Sequence, residues 1–134
     1  MYLLDTDIVI YSLKGHSTVK KHLERNRRGA IKISIATLME LYYGAYKSQK
    51  VASNLGKIKR IEDAIDIIPL GRDSAEIFAM LKAELEIAGT PLYDFDLILA
   101  ACALSHDLIL VTSNVKHFKR IQGLKLENWT QEKR

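Results

Sequence analysis

Hydrophobic and polar positions switch repeatedly between period two and period 3.6 along the chain, and the switches predict a series of short strands and helices. The apolar run Tyr2 to Leu4 stops at Asp5, and IVIYSL then reads as a helix that Gly15 ends. Ser17 fits the N-cap of a polar helix carrying Val19 and Leu23 as far as Gly29, after which Ile31, Ile33 and Ile35 alternate as in a strand. TLMELYYGAYKS predicts the next helix, with Thr37 and Glu40 at capping-box spacing, and a longer helix over about Val51 to Ala64 leads into the strand-like DIIPL. The clearest helix is DSAEIFAMLKAELEIAG. Asp73 and Glu76 give its capping signal, Ile77, Phe78, Leu81 and Leu85 its apolar face, and Gly89 its end. Beyond the turn GTPLYD, FDLILAACALSHD predicts an apolar helix, LILVT a buried strand and GLKLENW one more short strand.

Four or five short strands interleaved with helices imply βαβ crossovers. The expected fold is therefore α/β, a single-domain three-layer α/β/α sandwich with a mainly parallel central sheet. At 134 residues the chain suits one domain, 1–134, and excludes two full ones. No apolar run reaches the roughly 20 residues of a bilayer span, and Asp5 interrupts the opening too early for a secretory core. The expectation is a cytoplasmic protein with no membrane partner. Cys102, the single cysteine, excludes an internal disulfide and a zinc ribbon, and within LILAACALS it reads as a small buried hydrophobe. Phosphate-binding GxxxxGK[ST], dinucleotide GxGxxG and nucleophile GxSxG patterns are missing, and His16, His22, His106 and His117 show no zinc spacing.

A formal charge of +4 suits a polyanionic partner without requiring one. Its placement adds more: Lys14, Lys20, Lys21, Arg25, Arg27, Arg28 and Lys32 crowd the first quarter. Arg25, Arg27 and Arg28 are candidate contacts to a nucleic-acid backbone, with solvated helix faces as the plainer alternative.

Open parallel sheets gather functional groups beyond the carboxyl ends of their strands. Asp5 closes the first strand and Thr112, Ser113 and Asn114 close LILV, while Asp96 begins the apolar helix and Glu40 lies about one turn inside another. Each acid has a simpler role available. Asp5 or Asp7 fits an N-cap, Glu40 a capping box, Asp94 an N-cap, and Asp96 a favourable place near a helix dipole. Together they put three carboxylates, Asp5, Glu40 and Asp96, within reach of one edge. Such groups repel one another unless a cation is bound, and hard oxygen ligands favour Mg²⁺ or Mn²⁺.

The segments LLDTDIVIY, MELYYGA, PLYDFDLILAACAL and LILVTSNVKHFKRIQGLKLENW resemble, in order, the four signature blocks of PIN-domain proteins, specifically the VapC-type toxin ribonucleases of prokaryotic toxin-antitoxin modules. The likeness runs from Tyr2 to Trp129. It implies that Asp5, Glu40 and Asp96 are catalytic and metal-binding, with Asp5 and Asp96 as principal ligands and Glu40 acting through water or as general base. Thr112 and Asn114 match the family's threonine and its polar partner. His117 stands before Phe118 where many relatives have a carboxylate, a departure that bears on a second metal. Asp94 is an acid the pattern does not require, read as a cap or peripheral ligand. The resemblance further implies Mg²⁺- or Mn²⁺-dependent hydrolysis of phosphodiester bonds in tRNA or rRNA, a homodimer, and a VapB-type antitoxin whose tail enters the active site. Tyr42, Tyr43 and Tyr46 offer more aromatic surface than one buried stripe needs, in keeping with such a dimer. A DNase or structure-specific nuclease, and a non-catalytic basic RNA-binding regulator, are the rival readings.

Overall fold

Strands and helices alternate through residues 1–132, the part of the chain that the structure, a computed structural model, describes. Strand β1 (Tyr2–Leu4) leads into α1 (Thr6–Leu13) and α2 (Ser17–Arg25), and β2 (Ile31–Ser34) into α3 (Ile35–Lys47) and α4 (Val51–Ala64). Then come β3 (Asp66–Ile68), α5 (Arg72–Ile87), α6 (Asp94–Ser105), β4 (Ile109–Val111), the short α7 (Val115–Phe118) and β5 (Leu126–Glu127). The strands form one sheet in the order β3-β2-β1-β4-β5, and every neighbouring pair is parallel.

A parallel sheet must be covered on both faces because its crossovers lay helices there, so its central strands read as unbroken apolar runs. Successive side chains point to opposite faces. Leu3 and Leu110 accordingly enter one core, with Leu81, Leu85, Leu97 and Phe118 from α5, α6 and α7. Leu4 and Val111 enter the other, with Ile8, Val19, Leu41 and Ile58 from α1 to α4 and Trp129 from the tail. Each fully buried leucine or isoleucine contributes about 1.5–3 kcal/mol relative to exposure, so the short middle strands are held chiefly by what their two faces bury. Cys102 is fully buried among these side chains, as its sequence context implies.

Several helix starts differ from the local reading. His16, not Ser17, caps α2, its Nδ1 accepting from Val19 N–H at 3.3 Å. That helix stops at Arg25, and a single 3₁₀ turn, Arg28–Ala30, precedes β2. Ile35 belongs to α3 rather than to the strand, because Ser34 caps it by accepting from Ala36 N–H at 3.0 Å. Gly71 and Tyr93 occupy the cap positions of α5 and α6, displacing Asp73 and Asp94 into the first turns. Among the described residues no helix is long and apolar enough to cross a membrane.

Candidate active site

Strand order reverses between β1 and β4: the chain lays β2 and β3 on one side of β1, then returns to place β4 and β5 on the other. The crevice beyond the carboxyl ends of strands at such a reversal is where open α/β sheets bind ligands. Asp5 and Thr112 are the first residues past those two ends. Backbone bonds from Asp5 N–H to Val111 O at 2.8 Å and from Thr112 N–H to Glu127 O at 3.0 Å extend the sheet's rigidity to both. Their side chains meet. Thr112 Oγ1 donates to Asp5 Oδ2 at 2.8 Å, and Thr6 N–H donates to Oδ1 at 2.7 Å, so the Asp5 carboxylate is fixed at both oxygens. Asn114 joins through its backbone, its N–H donating to Thr112 Oγ1 at 3.0 Å, while its side chain is exposed.

Asp96 lies in the first turn of α6, with its Oδ2 3.5 Å from His117 Nε2 on α7. That contact is long and poorly aligned, leaving Nε2 buried without a hydrogen-bond partner. Glu40 comes from the second turn of α3. Thr37 and Glu40 do not form a capping box: both turn across the chain to Thr6, whose hydroxyl donates to Glu40 Oε1 and lies 3.3 Å from Thr37 Oγ1. Asp94 is drawn away from the cluster by an exposed ion pair with Lys82 at 3.0 Å. Arg25, Arg27 and Arg28 are exposed where α2 gives way to β2, which is the amino edge of the sheet. They therefore face the edge opposite the carboxylates.

Two residues of the cluster, Thr6 and Asp7, act beyond their local sequence. Thr6 bridges Asp5 and Glu40 as described. Asp7 fits a helix cap in the sequence but does not act as one. Instead its Oδ2 accepts from both the hydroxyl and the N–H of Ser113, while its Oδ1 is buried with no partner. The signal in the sequence was the second acid two positions after Asp5, at a place where α1 turns toward the β4 end.

Burial pushes the Asp5 carboxyl up to about 7, and the negative charge of Asp7, with a smaller contribution from Asp96, pushes the same way against the hydrogen bonds from Thr112 and Thr6. Asp96 is raised as well, by burial first and by Asp7 in addition, with His117 opposing. A cluster that disfavours its own ionised carboxylates, and that leaves one buried oxygen unpartnered, has a charge balance that a cation would relieve. Oxygen donors of this kind match Mg²⁺ or Mn²⁺. Among the described residues no three His, Cys, Asp or Glu side chains already enclose an ion-sized position. One or two carboxylates with water completing the shell is the arrangement Mg²⁺ commonly adopts, and the residues present fit it.

A parallel α/β sandwich with converging acids at its switch point defines a class, and the chain belongs to it: residues 2–124 match the PIN domain family. Within that family it is similar to VapC ribonucleases over nearly its whole length. It is 38% identical to the tRNA(fMet)-specific endonuclease VapC of Shigella flexneri, covering 96% of this chain and 98% of that one. It is 36% identical to the Ribonuclease VapC2 of Rickettsia felis, covering 96% and 98%. The crystal structure of VapBC2 from Rickettsia felis bound to a DNA fragment from their promoter superposes with a TM-score of 0.88 at 36% identity, covering 96% and 98% of the two chains. DNA-bound VapBC from Salmonella typhimurium gives a TM-score of 0.89 at 32% identity, covering 96% and 97%.

Proposed function

We propose that this chain is a metal-dependent endoribonuclease, the toxin of a VapBC-type module, and that it hydrolyses phosphodiester bonds in tRNA or rRNA. The observation that carries the reading is the Asp5 carboxylate, fixed by Thr112 and Thr6 and crowded by Asp7 and Asp96, at the switch point of a chain whose relatives are named ribonucleases. Asp5 and Asp96 would hold Mg²⁺ or Mn²⁺, with Glu40 reaching it through water. When bound, such an ion shields the charge on the attacked phosphate and makes water a stronger nucleophile at neutral pH.

The chain's own groups supply orientation and proton handling. Glu40, steadied at Oε1 by the Thr6 hydroxyl, takes the proton of the attacking water on its other oxygen. The new P–O bond forms as the bond to the leaving ribose oxygen breaks, and that oxygen takes a proton from solvent. Thr112 keeps Asp5 in place, and the exposed Asn114 side chain orients a phosphate oxygen.

A VapB-type antitoxin is the expected protein partner, since the matched structures from Rickettsia felis and Salmonella typhimurium are VapBC assemblies. A homodimer is supported by α3, where Met39, Tyr43 and Tyr46 stand 62%, 65% and 66% exposed along one stripe while Tyr42 turns inward to Glu62. Purified protein tested on tRNA, rRNA and DNA with Mg²⁺, Mn²⁺ or EDTA checks the reading. RNA alone should be cut, and EDTA should stop it. Cleavage of DNA at a comparable rate overturns the RNA assignment, and cleavage that survives EDTA overturns the metal.

A further inference from the structure

Arg25, Arg27 and Arg28 face the edge opposite the carboxylates, so contacts to a substrate at the site itself fall to the two segments that flank Asp96. These are the turn from α5 into α6 and the short helix α7. The turn is held along its length. Thr90 N–H donates to Leu85 O at 2.9 Å, the Arg120 guanidinium donates to Pro91 O at 3.0 Å, Leu92 packs against the core, and Tyr93 O accepts the N–H of Leu97 at 3.1 Å. The Tyr93 side chain stays outside: the residue is 79% exposed, and its ring makes no aromatic or cation contact among the described residues. An aromatic ring on a backbone this well fixed loses little freedom when a flat partner settles on it.

Tyr93 occupies the N-cap position of α6, and Asp96 is the third residue after it. Side chains at those two positions are neighbours across a helix start, the geometry that a capping box uses. Asp94, between them, has its charge offset by Lys82 at 3.0 Å. On its other side Asp96 meets His117 of α7, a helix anchored by the fully buried Phe118. Lys116 and Lys119 of the same segment lie three positions apart, which puts them on one side of it. Both are exposed, and neither has a carboxylate within 4.0 Å among the described residues. Asp96 therefore lies between an open aromatic ring and two unpaired cations, all at the carboxyl edge of the sheet.

We propose that Tyr93 is a specificity-determining residue, the platform on which an unpaired RNA base beside the scissile phosphate stacks, with Lys116 and Lys119 holding phosphates on the other side of Asp96. The proposal rests on the nuclease reading. A stacking ring with cations close by is the combination that binds single-stranded nucleic acid, because every base has a flat face and every linkage a negative charge. It also selects a class of substrate. The base must be splayed out of any helix, in a loop or at an end, since a base stacked within a duplex has no face to offer.

Binding of a fluorescein-labelled single-stranded RNA to the full chain, measured by anisotropy in EDTA across a salt series, tests it. Tyr93→Ala should weaken binding by about fivefold or more, the effect of losing one stacked base, and keep the parental slope of log affinity against log salt. Tyr93→Trp should bind at least as tightly as the parent. For single strands that slope is about −0.7 per phosphate neutralised, so K116Q/K119Q should be shallower by about 1.4. The same RNA annealed to its complement should bind the parent and Tyr93→Ala alike. Parental affinity for Tyr93→Ala, or an equal loss on the duplex, overturns the platform, and a parental slope for K116Q/K119Q overturns the placement of the phosphates. So does a Tyr93→Ala variant that binds RNA normally but no longer self-associates or no longer binds a cognate antitoxin, which would make Tyr93 a protein contact. A parent that neither binds nor cuts RNA overturns the nuclease reading itself, a different failure from a parent that cuts RNA and is indifferent to Tyr93.

Discussion

Thr112 Oγ1 donates to Asp5 Oδ2 at 2.8 Å across 107 positions of sequence, and the same hydroxyl oxygen accepts the N–H of Asn114. One fully buried side chain thus ties the carboxyl ends of β1 and β4 to the start of α7. Thr112→Val keeps the volume and removes both bonds. It should cost about 1–3 kcal/mol, the usual penalty for stranding buried polar partners. It should also push the Asp5 carboxyl higher still, because this hydrogen bond opposes its rise. Thermal melts of metal-free protein, with the pH dependence of cleavage, check both: the melt should drop and the activity profile shift to higher pH.

Metal-free protein should become less stable as pH rises from about 4 to about 7. The Asp5 carboxyl has an ordinary value of 3.8 and a folded value of about 7, so in that window the unfolded chain releases a proton that the fold retains. For one proton the loss is at most about 1.4 kcal/mol per pH unit and levels off above the folded value. Asp96 is shifted in the same direction and adds to it. Asp5→Asn should flatten the curve, raise stability above pH 7, and abolish cleavage. Asp96→Asn should change the stability curve in the same direction and likewise abolish cleavage. Melts in EDTA from pH 4 to 9 decide the matter, and a parental curve that rises with pH would sink the electrostatic account.

The elements of the fold are legible because period and punctuation are local: the helix predicted over Val51–Ala64 has those bounds, and LILV and Tyr2 to Leu4 are strands as their patterns predict. What local windows misjudge is the partner of a polar side chain. Thr37 and Glu40 have capping-box spacing, yet Ser34 takes the cap and both side chains reach Thr6, 31 and 34 positions away. Asp7 fits a cap by its local sequence, yet Ser113, 106 positions on, donates to one of its oxygens. Asp5 combines the two cases, since it is the N-cap of α1 and a member of the cluster. The strand ends direct Asp5, Asp96 and Glu40 toward one edge, whereas the threonine and serine hydroxyls that fix the acids depend on the folded register.

Thr6 links Asp5 to Glu40, so its hydroxyl should matter to the site more than to the fold. Thr6→Val leaves the backbone bond to Asp5 and frees the Glu40 carboxylate. We expect kcat to fall about 10- to 100-fold, the range for losing a group that orients a metal-site ligand, with KM little changed. Thr6→Ser restores a hydroxyl and should recover most of the rate, whereas a purely structural role would leave the two variants alike. Glu40→Gln should lower kcat at least as far as Thr6→Val. A Glu40→Gln variant with parental kcat and a lowered melt would leave this residue only a structural hydrogen bond to Thr6.

His117 stands beside Asp96, its Nε2 3.5 Å from Oδ2 and buried without a hydrogen-bond partner. An imidazole brings no fixed negative charge, and its nitrogen is a poorer ligand for Mg²⁺ than for Mn²⁺. Mn²⁺ should therefore support activity at lower concentration than Mg²⁺. His117→Glu should narrow the gap by lowering the Mg²⁺ requirement, while adding a negative charge that pushes the Asp96 carboxyl further up in the metal-free protein. His117→Ala should raise the concentration of either ion needed for half-maximal rate by about tenfold, because it removes the group that opposes the rise of Asp96. Metal titrations of cleavage, paired with calorimetry of ion binding without RNA, separate binding from turnover. Superimposable curves for the parent and both variants would show that His117 only packs against Phe118 and that the carboxylates hold the ion without it.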